Sequence, residues 1–144
     1  MSQTSFDIQQ AAVIGAGTMG RGIVMCLANA GVTVQWVDNN PQMLEQALAT
    51  VADTYAHNVR QGRIDQAEAD ARIARVSAAA DYAAIRNVDL VIEAVYENLE
   101  LKQKIFRELD GLLKPEALLA SNTSALDIDA IAAATKRPEQ VLGL

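Results

Sequence analysis

Three glycines with the spacing Gly-x-Gly-x-x-Gly follow an apolar run near the start of the chain. The run Ala11–Ile14 leads into Gly15-Ala16-Gly17-Thr18-Met19-Gly20. In such a turn the first glycine allows a tight bend out of a strand, the second lets a pyrophosphate approach the backbone, and the third lets a helix pack closely on the strand. The phosphates then lie at the helix N-terminus, where unpaired N–H groups and the helix dipole favour anions. The spacing therefore indicates a dinucleotide site.

An acidic residue after the second apolar run supports this interpretation. The run Val32–Val37 ends at Asp38, which lies roughly 20 residues after the glycines, where a carboxylate accepts hydrogen bonds from the adenosine ribose. A carboxylate there repels the 2′-phosphate of NADP, and the segment Asn39-Asn40-Pro41 offers no neighbouring cation to hold that phosphate. The sequence therefore predicts NAD as the cofactor. The alternative is a purely structural glycine turn beside a solvated aspartate.

Polar residues also follow a third apolar run, Leu90–Ala94. Glu97, Asn98 and Lys102 come directly after it, where ligands bind at the carboxyl ends of parallel strands. The alternative is a helix start with solvated charges. Glu93 lies inside the apolar run, so we expect it to be a buried, paired carboxylate, which is more often structural than catalytic.

Four consecutive small polar residues follow a fourth short run, in the segment Ala120-Ser121-Asn122-Thr123-Ser124. Hydroxyl and amide groups can orient a substrate hydroxyl or a nicotinamide carboxamide without adding charge. Asn122 and Ser124 are therefore candidate site residues. The alternative is that these residues form a turn and a helix cap, which are positions that Ser and Asn favour.

The elements that position these residues alternate between strand and helix, which predicts an α/β fold. Continuous apolar runs are typical of parallel strands covered on both faces, so we expect a Rossmann-like, doubly wound and mainly parallel sheet. The predicted strands are Ala11–Ile14, Val32–Val37, Ala74–Ser77, Leu90–Ala94, Leu118–Ala120 and Val141–Leu144.

The helices predicted between these strands include one long insertion after the second strand. One helix follows the glycines, and later helices span Leu99–Leu113 and Asp127–Ala134. The segment 41–72 is helical in pattern but longer than one crossover requires, with Gly62 as the break. We expect a helical hairpin that projects from the sheet.

Composition excludes several classes of function. With 144 residues, 51% of them hydrophobic, the chain is expected to form one domain. A net charge of −6 argues against binding to nucleic acid or to an anionic membrane. No membrane span, secretory signal or metal site is predicted, and we expect a cytoplasmic protein. Cys26 is expected to be a small core residue, and His57, the only histidine, a surface or packing residue of the hairpin.

Taken together, these motifs resemble the NAD-binding domain of the L-3-hydroxyacyl-CoA dehydrogenases of fatty-acid β-oxidation. The resemblance covers nearly the whole chain. The segments that carry it are Gly15 to Gly20, Asp38, Val91 to Leu99 with Leu101-Lys102, Ala120 to Ser124, Lys136 to Glu139 and Gly143-Leu144.

The resemblance implies roles for individual residues. Those expected to hold NAD or to line its site are Gly15, Ala16, Gly17, Thr18, Met19, Gly20, Arg21, Asp38, Val95, Tyr96, Glu97 and Lys102. Ser124 is expected beside the nicotinamide and the substrate oxygen, with Asn122 in the same loop. Thr54 and Gln61 match positions where relatives contact the CoA part of the substrate, although some relatives have Ser and Lys there.

The same resemblance predicts that this chain lacks the catalytic base. In the family a histidine, two aromatic residues and an asparagine follow the Gly-Leu pair, which here is Gly143-Leu144. That histidine is the base, a later glutamate orients it, and a second, helical domain closes over the acyl chain and usually forms the dimer. We expect residues 1–144 to be the NAD-binding domain of a homodimeric parent, binding NAD without turnover. The alternatives are a domain of another 3-hydroxyacid dehydrogenase or a non-catalytic nucleotide-binding module.

Overall fold

A six-stranded, wholly parallel sheet forms the centre of the computed structural model, which describes residues 8–123 and 125–144. The strand order is β3-β2-β1-β4-β5-β6, so the chain winds outward from β1 in one direction and from β4 in the other. The predicted α/β, Rossmann-like fold is confirmed. The strands are β1 (Gln10–Ile14), β2 (Thr33–Val37), β3 (Val76–Ala78), β4 (Leu90–Glu93), β5 (Leu118–Ser121) and β6 (Val141–Gly143).

Helices cover both faces of this sheet. The side chains of a strand alternate between its two faces, and the strands here have apolar side chains on both, which the helices bury. In β1, Ala12 and Ile14 face one core, and Val13 faces the other. The core that contains Phe106 and Leu109 lies on the first face, and the core that contains Trp36 lies on the second. The helices are α1 (Thr18–Asn29), α2 (Pro41–Arg60), α3 (Gln66–Ala74), α4 (Leu99–Asp110) and α5 (Ala125–Ala132).

Side-chain caps explain where three of these helices begin. The Asn40 side chain accepts the backbone N–H groups of Gln42 and Met43 at the start of α2, where Pro41 occupies the first turn. Asp65 caps α3 and Asn98 caps α4 in the same way. Gly62 follows α2 with a φ of 73°, a conformation that ends many helices. The predicted break at Gly62 is therefore confirmed.

The predicted helical hairpin, α2–α3, is present, and its inward face packs against the rest of the domain. Its inward side chains, among them Val51 and Tyr55, are buried in the core that also contains Trp36. The Tyr55 hydroxyl donates to Asn29 Oδ1 of α1 at 2.6 Å, and Arg72 Nη1 donates to the same oxygen at 3.2 Å. Apolar burial and these hydrogen bonds hold the hairpin against α1. In the described residues no helix is both long and apolar enough to cross a membrane.

The position of Cys26 differs from expectation. It was predicted to be a core residue, but it is exposed on α1. The buried residues of α1 are Gly20, Val24 and Ala28, which recur at intervals of four and form one face of the helix. Cys26 lies two positions from Val24 and Ala28, so it points away from that face.

Two polar clusters lie at the edge of the sheet where its strands begin. Asp89 accepts the backbone N–H groups of Gln9 and Gln10 at 3.0 Å each and the Lys114 ammonium at 2.6 Å. The hydrogen bond from Lys114 lowers the pKa of Asp89. At the same edge, the buried Arg137 donates to Asp110 Oδ1 at 2.7 Å and to the Lys114 carbonyl at 2.7 Å. This arginine fastens the turn after α4 to the short helical turn Pro138–Gln140 that precedes β6.

Candidate cofactor-binding site

The three glycines of the turn have different roles. The fold requires two of them to be glycine, and the third faces open space. Gly15 has a φ of 113°, and a Cβ built on it would lie 2.7 Å from the Ala94 carbonyl oxygen. A Cβ on Gly20 would lie 2.0 Å from the Gly15 oxygen. A Cβ on Gly17 would meet nothing within 4 Å. Gly15 and Gly20 therefore permit the turn and the close helix packing, while Gly17 leaves room for a ligand at the backbone.

The N-terminus of α1 is suited to an anion. Gly17 is its N-cap residue, no side chain caps it, and its first turn contains no acidic residue. The first N–H groups of an α-helix have no partner within the helix, and the dipole gives this end a partial positive charge. A pyrophosphate placed against Gly17 would therefore meet both hydrogen-bond donors and a favourable potential.

Asp38 lies beside this turn, at the end of β2. Its Oδ2 atom accepts the backbone N–H of Ala16 at 2.8 Å, and its Oδ1 atom accepts that of Asn40 at 2.8 Å. These two bonds fix the carboxylate at the edge of the cleft. Each carboxylate oxygen has further acceptor capacity, so the group can also accept ribose hydroxyls.

A cleft of about 930 Å³ joins these features. It lies at the carboxyl ends of β1 and β4, the point where the strand order reverses and where open α/β sheets bind their ligands. Its size is within the range of small-molecule sites. The lining residues are Ile14 to Gly17, Val37 to Asn40, Met43, Ala80 to Ala83, Ala94 to Tyr96, Leu101, Lys104, Ile105 and Glu108.

Several of these lining residues were not predicted from the sequence. Asp81, Tyr82, Lys104 and Glu108 line the cleft from the segment after β3 and from α4. Burial, followed by the nearby carboxylates of Glu108, Glu93 and Asp38, raises the pKa of Tyr82 to about 12. At neutral pH this phenol is therefore a neutral hydrogen-bonding group and not a base.

The segment after β4 contains the next group of predicted residues. Val95 and Tyr96 line the cleft, and Tyr96 is 71% exposed. Asn98 caps α4 through the Leu101 N–H, so it has the structural role that was the alternative. Glu97 and Lys102 are not among the residues that line the cleft.

Lys102 is buried beneath that segment. Its side chain is 1% exposed, and its Nζ atom lies 3.0 Å from Glu93 Oε2 and 3.3 Å from Glu97 Oε1. Glu93 is fully buried, as expected of a paired carboxylate in an apolar strand. The structure thus brings Glu93, Glu97 and Lys102 together, with Lys102 turned toward the protein interior.

The remaining predicted residues lie at the rim, outside the cleft or outside the described residues. Thr18 and Met19 are exposed at the start of α1, and Asn122 is half-buried at the end of β5. Ser124 is not among the described residues. Thr54 donates its hydroxyl to the Thr50 carbonyl at 2.8 Å within α2. None of the residues lining the cleft comes from the hairpin tip, where Gln61 and the exposed His57 lie.

Comparison with known proteins identifies a family. A family model described as the NAD-binding domain of 3-hydroxyacyl-CoA dehydrogenase matches residues 10–144. A peroxisomal bifunctional enzyme of Danio rerio is 44% identical over 145 aligned residues, which cover 96% of this chain and 18% of that protein. A probable 3-hydroxybutyryl-CoA dehydrogenase of Bacillus subtilis is 38% identical, over 96% of this chain and 48% of its own length.

A solved structure agrees with these sequence relatives. The 3-hydroxybutyryl-CoA dehydrogenase of Escherichia coli K12 superposes with a TM-score of 0.92 at 37% identity, over 96% of this chain and 29% of that chain. The chain thus spans about half the length of the Bacillus relative and less of the other two.

Proposed function

This chain belongs to the 3-hydroxyacyl-CoA dehydrogenase family as its NAD-binding domain, and on that premise we propose that the protein containing it oxidises an L-3-hydroxyacyl-CoA to the 3-ketoacyl-CoA. The open face of Gly17 at the α1 N-terminus, beside the fixed Asp38 carboxylate, is the observation that carries this proposal. NAD, when bound, supplies the hydride acceptor for the alcohol carbon. The glycine turn and α1 hold the pyrophosphate, and Asp38 holds the adenosine ribose.

Selection of NAD over NADP is expected to depend on Asp38. Replacing Asp38 with alanine removes hydrogen bonds between ribose and a charged acceptor, so NADH affinity should fall by roughly 10- to 100-fold. Asp38→Asn is the matched variant, because an amide oxygen can still accept the Ala16 N–H while the charge that repels a 2′-phosphate is gone. Calorimetric titration with NADH and NADPH measures both effects. We expect the wild type to bind NADH more tightly than NADPH, and Asp38→Asn to show a smaller difference between these two affinities. A wild type that binds NADH and NADPH equally well would contradict the proposal.

We also propose that this chain alone binds NAD without turning over substrate. Oxidation of an alcohol by hydride transfer requires a base for the hydroxyl proton. His57 is the only histidine in the sequence, and it is exposed on α2, away from the residues that line the cleft. The described residues that line the cleft include no histidine, and the raised pKa of Tyr82, about 12, keeps its phenol protonated at neutral pH.

Acetoacetyl-CoA reduction by this chain, followed as NADH absorbance at 340 nm, is expected to show no rate above the background without protein. NADH binding by the same preparation is the control that the cofactor site is formed. A rate that is robust and proportional to protein concentration would contradict the proposal.

Several more detailed assignments for this protein are also predictions. These are the contact of Ser124 with nicotinamide and substrate, the contacts of Thr54 and Gln61 with CoA, a homodimeric parent and a cytoplasmic location. The acyl-chain length also belongs to this group, because the relatives include proteins named for 3-hydroxybutyryl-CoA and a bifunctional enzyme.

A further inference from the structure

A buried ion pair lies beneath the carboxyl ends of β4 and β5. Glu93, the last residue of β4, is fully buried, and its Oε2 atom is 3.0 Å from the ammonium of Lys102 in the first turn of α4. Removing two charges from water is costly, and apolar residues of similar volume often stabilise a protein as well or better. The pair therefore calls for an explanation other than stability.

The hydrogen bonds of this pair connect two loops at the edge of the cleft. The Glu93 carboxylate accepts the Val95 N–H at 2.7 Å in the loop after β4, and it accepts the Ser121 hydroxyl at the end of β5. Lys102 donates to the carbonyl oxygen of Asn122 at 3.1 Å in the loop after β5. The pair and its partners, Val95, Ser121 and Asn122, are called the Glu93–Lys102 network below.

The Lys102 ammonium makes two hydrogen bonds and one further ion-pair contact, all to protein groups. A lysine ammonium has three N–H donors. Two of them are used by Glu93 and Asn122, and the carboxylate of Glu97, which is 63% exposed, lies 3.3 Å from the ammonium nitrogen. Glu97 also accepts the Thr123 hydroxyl at 3.3 Å. Lys102 therefore acts on the cleft through the two loops, as a positioning residue.

The position of the network suggests which part of a dinucleotide it affects. Asp38 and the glycine turn lie after β2 and β1, on one side of the point where the strand order reverses. The network lies after β4 and β5, on the other side. A dinucleotide binds across that crevice, so with its adenosine ribose on Asp38 and its pyrophosphate on α1, its nicotinamide half must extend toward the loops that the network joins.

We propose that the Glu93–Lys102 network sets the position of the nicotinamide half of the cofactor by fixing the loops after β4 and β5. This inference rests on the proposed function, since it takes the cleft to be the NAD site. It assigns Glu93 and Lys102 a role in orientation and leaves the affinity for the adenosine half to the glycine turn and Asp38.

The test compares NADH with ADP, which lacks the nicotinamide half. In the double variant Glu93→Gln/Lys102→Met both charges are removed, so neither is left buried without its partner, while Gln keeps an acceptor for Val95. We expect NADH to bind about tenfold more weakly than to the wild type, a loss of ~1.4 kcal/mol, and ADP to bind equally well. The matched control is Glu100→Gln/Arg107→Met, which likewise removes one carboxylate and one cation, at exposed positions of α4.

Three results would overturn the inference. One is NADH affinity unchanged in the double variant, and another is equal weakening of NADH and ADP in a folded variant, which would indicate a general effect on the cleft. Failure of the wild type to bind either ligand would overturn the proposed function and this inference with it. Circular dichroism and emission from the buried Trp36 monitor folding. If the double variant does not fold, Ser121→Ala, which removes one hydroxyl from the network, should show the same preferential loss of NADH.

Discussion

Replacing Gly20 with alanine is expected to destabilise the fold by about 3 kcal/mol, near the upper end of the cost of inserting atoms into a packed core. The added Cβ would lie 2.0 Å from the carbonyl oxygen of Gly15. That oxygen cannot easily give way, because it accepts the indole N–H of the buried Trp36 at 2.8 Å and the Gly15 N–H donates to the Val37 carbonyl of β2 at 2.8 Å. The helix α1 would have to move away from β1. Thermal unfolding measures the effect, and we expect a melting temperature lower by roughly 10 °C.

The control for this variant lies two residues further along the same helix. A Cβ on Gly22 would meet nothing within 4 Å, so Gly22→Ala removes only the conformational freedom of glycine within a helix. It should therefore raise stability by about 0.5 to 1 kcal/mol. If Gly20→Ala were also neutral or stabilising, the close packing of α1 on the glycine turn would be refuted.

Replacing Arg137 with alanine is expected to destabilise the protein by about 3 to 5 kcal/mol, the usual cost of removing one partner of a buried ion pair. The guanidinium donates to Asp110 Oδ1 and also to the carbonyls of Asp110 and Lys114, at 3.0 and 2.7 Å. Both Arg137 and Asp110 side chains are 10% exposed. The variant leaves a carboxylate and several carbonyls without this donor, and chemical denaturation should show the loss as a lower midpoint.

Lys136 provides the comparison for Arg137. It is exposed, and it reaches Asp110 Oδ2 only through its backbone N–H, at 2.6 Å, which alanine retains. Lys136→Ala should therefore change stability by no more than about 0.5 kcal/mol. A loss in Arg137→Ala as small as that in Lys136→Ala would mean that the guanidinium does not hold the turn after α4.

Local sequence signals were sufficient to predict the strands and the meeting of the glycine turn with Asp38 in one cleft. Continuous apolar runs predict the parallel strands, and the glycine spacing followed by Asp38 predicts the phosphate and ribose positions, because each depends on neighbouring residues. The caps at Asn40 and Asn98 and the break at Gly62 are local signals of the same kind. The 3₁₀ helix Tyr82–Ile85 was not predicted, because a single turn leaves no periodic pattern.

The part of the cleft lined by Tyr82 and Glu108 depends on contacts between segments that are distant in sequence. Tyr82 and Glu108 come together only when α4 packs beside the loop after β3, and no spacing in the sequence records that. The position of Lys102 could have been inferred. Lys102, Ile105, Phe106 and Leu109 are the buried residues of α4, and their spacing is that of one helix face. A lysine on such a face must be buried and paired, and the apolar run offered Glu93 as its partner.

The three glycines of the turn are constrained for different reasons, and this difference helps to interpret related sequences. Gly15 and Gly20 are constrained by the chain itself, whatever the chain binds, because their Cβ positions are filled by its own backbone. Of the three glycines in the turn, only Gly17 has space for a Cβ atom. A relative that has lost its ligand can therefore replace the middle glycine and still fold, whereas it cannot easily replace the other two. The middle glycine is thus the one whose retention distinguishes a working nucleotide-binding relative from a scaffold that preserves only the shape.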